Sequence, residues 1–200
     1  MKLFLGICNS QDFVPSGFFW TFVNIKSRWH TTLYRSTHPW DVIRNNHIIH
    51  EFLKTDCDIL VKMDIDQTYP PSYFERFVPL VEKYKVIGPL IYDRCELNNH
   101  MPLAFRDRYD GMVLKKMDLS DKTGIIEIPY SHTNMFYARE VLENVNPPWY
   151  EAYMREDGLE RKNHVDYTFI DKLKDAGYPT YIDLSTVVGH GYYKYETGIS

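Results

Sequence analysis

Ile59-Leu60-Val61-Lys62-Met63-Asp64-Ile65-Asp66-Gln67 is an apolar run that ends in two carboxylates. A buried strand written this way delivers two acidic side chains to its C-terminal edge, where α/β sheets bind ligands. Paired carboxylates make a hard, oxygen-rich site suited to a divalent cation that carries phosphates. The motif alone is weak, because sixteen Asp in 200 residues produce roughly one Asp-x-Asp by chance. Asp56-Cys57-Asp58, in a polar turn just ahead of the strand, reads as such a chance pair. Only the rest of the chain can separate the two.

Outward from that strand, strands and helices alternate. Residues 2–8 predict a buried first strand, followed by a polar loop from Asn9 to Ser16 and an aromatic-rich helix over 16–25. Thr37-His38-Pro39-Trp40-Asp41 reads as the start of a helix that runs to about Lys54. Pro70-Pro71-Ser72 opens another, which Pro79 is expected to kink or divide. Val86 to Ile91 is a third strand. Periodicity fades from Tyr92 to Thr123, as in a lid or binding loop with room for short strands. Short strands follow over 125–128 and 134–137, then a helix over 138–144 that Pro147-Pro148 stops. The charged segment from Glu151 to Asn163 is expected to be mobile, and a helix from Val165 to Ala176 is closed by Gly177. Strands over 178–184 and 187–189 close the series, an α/β pattern that opens as a parallel α/β unit, with no second domain over 1–200.

Composition narrows the class. Hydrophobic content of 44% and charged content of 25% are those of a globular domain. Sixteen Tyr and 11 Phe supply core with polar tips or a sugar- or base-binding surface. A net charge of −4 without a basic run leaves no electrostatic footprint for nucleic acid. Cys8, Cys57 and Cys95 are widely spaced with no Cys-x-x-Cys, which fits a reduced, cytoplasmic setting. The apolar start, Leu3 to Cys8, is short for a signal core, and no segment has the length of an integral membrane span.

Further landmarks carry a resemblance. Asp166-Tyr167-Thr168-Phe169 is similar to a Glu-Asp-x-x-Phe signature, with Gly177-Tyr178 eleven positions after Asp166 and His190 thirteen after Gly177. Together with Arg44-Asn45 and Asp64-Ile65-Asp66 before Pro70-Pro71, these make the chain resemble the GT-A class of nucleotide-sugar glycosyltransferases, close to family 2. The resemblance implies a single GT-A domain over 1–200, an α/β, Rossmann-like fold with a mixed, mostly parallel central sheet flanked by helices, with a nucleotide-binding half over 1–91 and an acceptor and catalytic half over 92–200. It implies Asp66 and His190 as ligands of Mn²⁺ or Mg²⁺, with Asp64 on the metal through water or on the donor's hydroxyls. Asn9, Ser10, Asp12, Arg44 and Lys194 would complete a site for a UDP- or GDP-sugar. Asp166, in the first turn of its helix where the macrodipole favours the ionised form, would be the general base of an inverting transfer. Val165 stands where the family has Glu, which touches that base assignment directly.

Ser131-His132-Thr133-Asn134 occupies the place of a glycine-rich strand–loop under the donor sugar, so His132, Thr133 and Asn134 are expected in the sugar pocket. Trp149 after Pro147-Pro148 resembles a Pro-Trp-Phe segment and is expected to stack on an acceptor sugar. His132 and Trp149 read equally well as core residues. The acceptor stays open between glycan, lipid-linked sugar, protein and modified base. Two alternatives accompany this reading. A nucleotidyltransferase shares the metal and phosphate chemistry, but Asn9-Ser10-Gln11 is no glycine-rich basic loop. A non-catalytic sugar-nucleotide or glycan-binding module would keep the metal site without turnover, and Val165 speaks for it.

Overall fold

The computed structural model describes residues 1–11, 13–92, 102–109, 113–158 and 161–190. Its elements run β1 (Lys2–Cys8), α1 (Ser16–Asn24), β2 (His30–Ser36), α2 (Asp41–Leu53), β3 (Ile59–Asp64), β4 (Gln67–Thr68), α3 (Tyr73–Tyr84) and β5 (Val86–Ile91). There follow β6 (Ala104–Tyr109), β7 (Val113–Lys116), β8 (Ile125–Glu127), β9 (Tyr130–Ser131), β10 (Phe136–Ala138), α4 (Arg139–Asn144), α5 (Val165–Asp175) and β11 (Tyr181–His190). Among the described residues, an eight-stranded sheet has the order β2-β1-β3-β10-β5-β11-β4, with β8 paired to β11. β2, β1, β3, β5 and β11 share one direction, and β10, β8 and β4 oppose it. This is the expected mixed, mostly parallel sheet.

Alternation along the strands builds a three-layer sandwich. Leu3, Leu5, Ile7, Val61 and Met63 point to one face, where they meet Phe18 of α1 and Tyr73, Phe77 and Val81 of α3. Phe4, Leu60 and Tyr137 point to the other, against Ile48 and Phe52 of α2, Val141 of α4 and Phe169 of α5. Burial on both faces explains why β1, β3 and β5 read as continuous apolar runs. Within β1, Gly6 brings the strand so close to α2 that a Cβ there would collide with Ile48.

Two elements depart from expectation, and a third stretch holds the short strands for which it left room. β2 pairs in parallel with β1 along its whole length, yet its sequence, His-Thr-Thr-Leu-Tyr-Arg-Ser, is mostly polar and half-exposed, as suits an edge strand. Pro79 does not divide α3: it lies on the exposed face of one continuous helix, where the carbonyl deprived of a partner can be hydrated. The unpatterned stretch after Tyr92 contains β6 and β7, which with β9 form a three-stranded antiparallel sheet beside α5.

The helix that carries Asp166 ends as expected. Gly177 has φ 82°, its N–H donates to Lys174 O, and Tyr178 N–H donates to Leu173 O, a Schellman closure that only a residue tolerant of the left-handed region makes cheaply. The charged segment before the helix is fastened by its own bonds. Tyr153 N–H donates to Asn163 Oδ1 (2.5 Å), and Arg161 forks onto both oxygens of Asp41 at 2.7 and 2.8 Å. Among the described residues no helix is long and apolar enough to cross a membrane.

Candidate functional site

The C-terminal ends of β1 and β3 stop level with one another, Cys8 opposite Asp64. A tight turn follows: Asp64 N–H donates to the Tyr69 hydroxyl (3.0 Å), which itself donates to Gln67 Oε1 (2.7 Å). That turn aligns β4 against β11 so that His190 faces Gln67. Register therefore brings the C-terminal His beside the acidic turn, with Asp66 Oδ2 at 3.6 Å from His190 Nε2. His190 Nδ1 lies 3.2 Å from the Tyr92 carbonyl, an acceptor that keeps a proton on Nδ1 and turns Nε2 toward Asp66.

This pair fits a divalent cation. An ion such as Mn²⁺ or Mg²⁺ sits about 2.1 Å from oxygen or nitrogen ligands, so two donors 3.6 Å apart can share one. Among the described residues no cluster of three or more His, Cys, Asp or Glu could hold an ion by itself. A cation here would draw its remaining ligands from phosphate and water.

Behind the two aspartates lies a buried lysine whose importance the sequence reading missed. Lys62 is only 4% exposed. Its ammonium donates to Thr133 Oγ1 (3.1 Å) and Asn134 Oδ1 (2.9 Å). Thr133 Oγ1 in turn donates to Asp166 Oδ1 (2.6 Å), and Asn134 Nδ2 donates to Asp64 Oδ2 (2.5 Å). One cation thus ties Asp64 at the acidic turn to Asp166 of α5 through two short polar side chains. Burial opposes the charge on Lys62, but the negative groups around it, Cys8 if ionised, Asp64 and Asp166, outweigh burial and hold the ammonium above its ordinary range. Cys8 itself stays a thiol, because burial pushes it up to about 12. A visible signal existed: Lys62 is the one charge inside the apolar run that ends at Asp64.

A cleft of about 390 Å³ opens over these groups, lined by Ser10 and Gln11 after β1, Arg44 and Asn45 of α2, Asp64, Asp66 and Asp166 among others. Asn9 is buried beneath its rim and accepts from Gln11 N–H (2.8 Å), which shapes the loop rather than exposing a ligand. Arg44 reaches the carbonyl of His38 (2.8 Å), while its buried Nε–H has no hydrogen-bond partner. Asn45 Oδ1 accepts from Cys8 Sγ (3.2 Å) and joins β1 to α2 at the cleft floor. Asp166 is the second residue of α5, with His164 at the N-cap accepting its N–H (3.4 Å) and Asp166 Oδ2 3.8 Å from His164 Nδ1. Val165 is buried in the core.

The expected sugar pocket is built differently. Thr133 and Asn134 are buried and act as the bridge between Lys62 and the carboxylates. His132 is buried, its Nε2 at 3.0 Å from the Pro89 carbonyl, and burial lowers it to about 4, so it is neutral. Trp149 is no stacking surface: it is 7% exposed, packs in the core, and donates its indole N–H to Leu142 O (3.3 Å). Its apolar area stabilises more inside than at an open pocket wall. Asp12 and Lys194, expected on the donor phosphates, lie outside the described residues.

No family model matches the chain, and no curated protein sequence matches it. Solved structures do. The chain is similar to A197 from STIV at 17% identity and TM-score 0.61, over 96% of this chain and 86% of that one. It is similar to GalNAc-T7, solved with UDP, GalNAc and Mn²⁺, at 13% identity and TM-score 0.66, over 100% of this chain and 44% of that one. For TarS 1-349 of S. aureus in complex with UDP the values are 10% and 0.53, over 96% and 61%. The chain thus spans under half the length of GalNAc-T7 and about three fifths of the TarS fragment. At such identities it is architecture that is shared, and the chain has the fold of the GT-A-type glycosyltransferases.

Proposed function

We propose that the cleft transfers a sugar from a nucleoside diphosphate donor to an acceptor hydroxyl, with inversion and with a divalent metal. The observation that carries this reading is convergence. A turn, two strand ends and a helix start, widely separated in sequence, bring Asp64, Asp66, His190 and Asp166 to one sheet edge. UDP in the GalNAc-T7 and TarS structures supports a uridine donor, and Mn²⁺ in the former supports the metal.

Asp66 Oδ2 and His190 Nε2 would hold the cation, with Asp64 beside it. When bound, the cation would neutralise charge gathering on the departing diphosphate. Ser10, Gln11, Arg44 and Asn45 would line the nucleotide's seat. Asp166 is assigned as the base: the Thr133 hydroxyl saturates one lone pair of Oδ1, which orients the carboxylate and leaves Oδ2 to accept a proton. As the acceptor oxygen bonds to the anomeric carbon, its proton passes to Asp166 and the bond from that carbon to the phosphate oxygen breaks. Lys62, fixed behind both carboxylates, keeps them at a constant spacing during the exchange.

Calorimetry of UDP and GDP with and without Mn²⁺, followed by hydrolysis assays over UDP- and GDP-sugars, tests the reading. Metal-dependent binding of one nucleotide, lost in Asp66→Ala and His190→Ala, is the expected result. Metal-independent binding, or variants that match the wild type, would refute it.

A further inference from the structure

Helix α1 is apolar on two sides. Phe18 is buried and Phe22 and Ile25 pack against the same core, which uses one face. Phe19, Trp20 and Val23 remain 50%, 62% and 57% exposed, and Phe13 and Val14 just before the helix 45% and 46%. The rings of Phe19 and Trp20 meet edge-on at 5.4 Å, so the outer face is a joined surface. A helix hydrophobic all round is normally enclosed, and an exposed patch of this kind marks an interaction surface.

Charge identifies the partner. Residues 12–36 contain Lys26, Arg28 and Arg35 against the single acid Asp12, a net of +2 in a chain whose total is −4. Lys26 and Arg28 are exposed just past the C-terminus of α1. Arg35 Nη2 donates to Gln11 O (2.5 Å), two residues before Phe13. Aromatic side chains bordered by cations, on an otherwise acidic protein, complement an anionic bilayer surface, where the rings sink to headgroup depth and the cations meet lipid phosphates. A second copy of the chain would set the same positive rim against itself, which disfavours self-association through this face.

We propose that α1, with Phe13 and Val14 just before it, forms a peripheral docking face for anionic lipid, lying on the bilayer without crossing it. The placement has a functional side, since α1 packs on β4, the strand directly after Asp66. The docking face thus shares a contact with the strand that follows the turn carrying Asp66.

Co-sedimentation of the full chain with vesicles tests this, using phosphatidylcholine alone and phosphatidylcholine mixed with phosphatidylglycerol. The expected result is salt-sensitive binding to the mixed vesicles and little to the neutral ones. The double substitution Phe19→Ser/Trp20→Ser should weaken it by roughly tenfold or more, and Lys26→Gln or Arg28→Gln by about fivefold each. Unchanged circular dichroism of the variants separates lost docking from lost folding. The proposal is overturned by absence of binding to the mixed vesicles, by a double variant that binds as well as wild type, or by light scattering that shows a dimer dissolved by the same substitutions.

Discussion

Replacing Lys62 by Met keeps the length of the side chain and removes its charge. The lost nitrogen is the donor to Thr133 Oγ1 and Asn134 Oδ1, and a buried polar group left unsatisfied costs about 1–3 kcal/mol. Breaking a fully buried ionic network from one side costs about 3–5 kcal/mol. Here Asp166, 21% exposed, opens onto the cleft and water can reach it, so the lower end, about 3 kcal/mol, applies. In a chain of this size each kcal/mol is worth about 2–4 °C, so Lys62→Met should melt roughly 6–12 °C lower.

Alkaline pH supplies an independent readout. The folded lysine is held above its ordinary 10.5, so the folded state keeps this proton longer than the unfolded state does. Its contribution is complete below about pH 10.5 and fades as pH rises through the folded value. Urea denaturation of wild type and variant between pH 7 and 11 should therefore give a free-energy difference that stays level to about pH 10 and then shrinks. A Lys62→Met protein within about 0.5 kcal/mol of wild type at neutral pH, with a difference indifferent to alkali, would refute the idea that one cation organises the site.

Asp166→Asn keeps the bond to Thr133 and removes the proton acceptor, so sugar transfer in a coupled nucleotide-release assay should fall about 10²–10⁴-fold. Nucleotide affinity by calorimetry should change little, and full transfer activity would remove Asp166 from the base role. His132, lowered by burial to about 4 from 6.5, binds its proton more readily unfolded than folded. Its stability contribution is complete above about pH 6.5 and lost as pH falls toward 4, about 3 kcal/mol in all, so acid urea titrations of His132→Phe should show a shallower fall than wild type. Gly6→Ala would drive a methyl into Ile48 and should cost about 1–3 kcal/mol in chemical denaturation. Adding Ile48→Val should return part of that loss, and plain additivity would argue against the contact.

What could be read in advance follows burial. β1, β3 and β5 lie inside the sheet, covered on both faces, so their runs of Leu, Ile and Val announce them. β2 escaped because an edge strand needs only one neighbour and tolerates His30, Thr31, Thr32 and Arg35. The spacing of Asp166, Gly177 and His190 carried through to real elements, a helix with its cap and the strand that meets the Asp66 turn. The side chains around them were less legible. Trp149 and His132 have a polar atom on an apolar body, which serves a ligand wall or a core equally well, and only tertiary packing decides between them. Lys62 was hidden by the opposite prejudice, that a lysine in a strand faces water, whereas its two hydrogen-bond partners, Thr133 and Asn134, and the carboxylates of Asp166 and Asp64 beyond them make its burial tolerable.

The strand order also dictates when the molecule can fold. β3 and β5 are joined only through β10, which runs between them in the opposite direction. During synthesis β1, β2 and β3 can associate early, but β5 has no strand neighbour in the main sheet until Phe136 has been made, forty-five residues after Ile91. At roughly 5–20 residues per second the wait is about 2–9 s. Its second partner, β11, comes later still. Throughout that interval Val86, Ile87, Leu90 and Ile91, all buried in the finished sheet, lack both of their neighbours in that sheet. The place of one three-residue strand along the chain thus sets how long the apolar surface of β5 waits for its sheet.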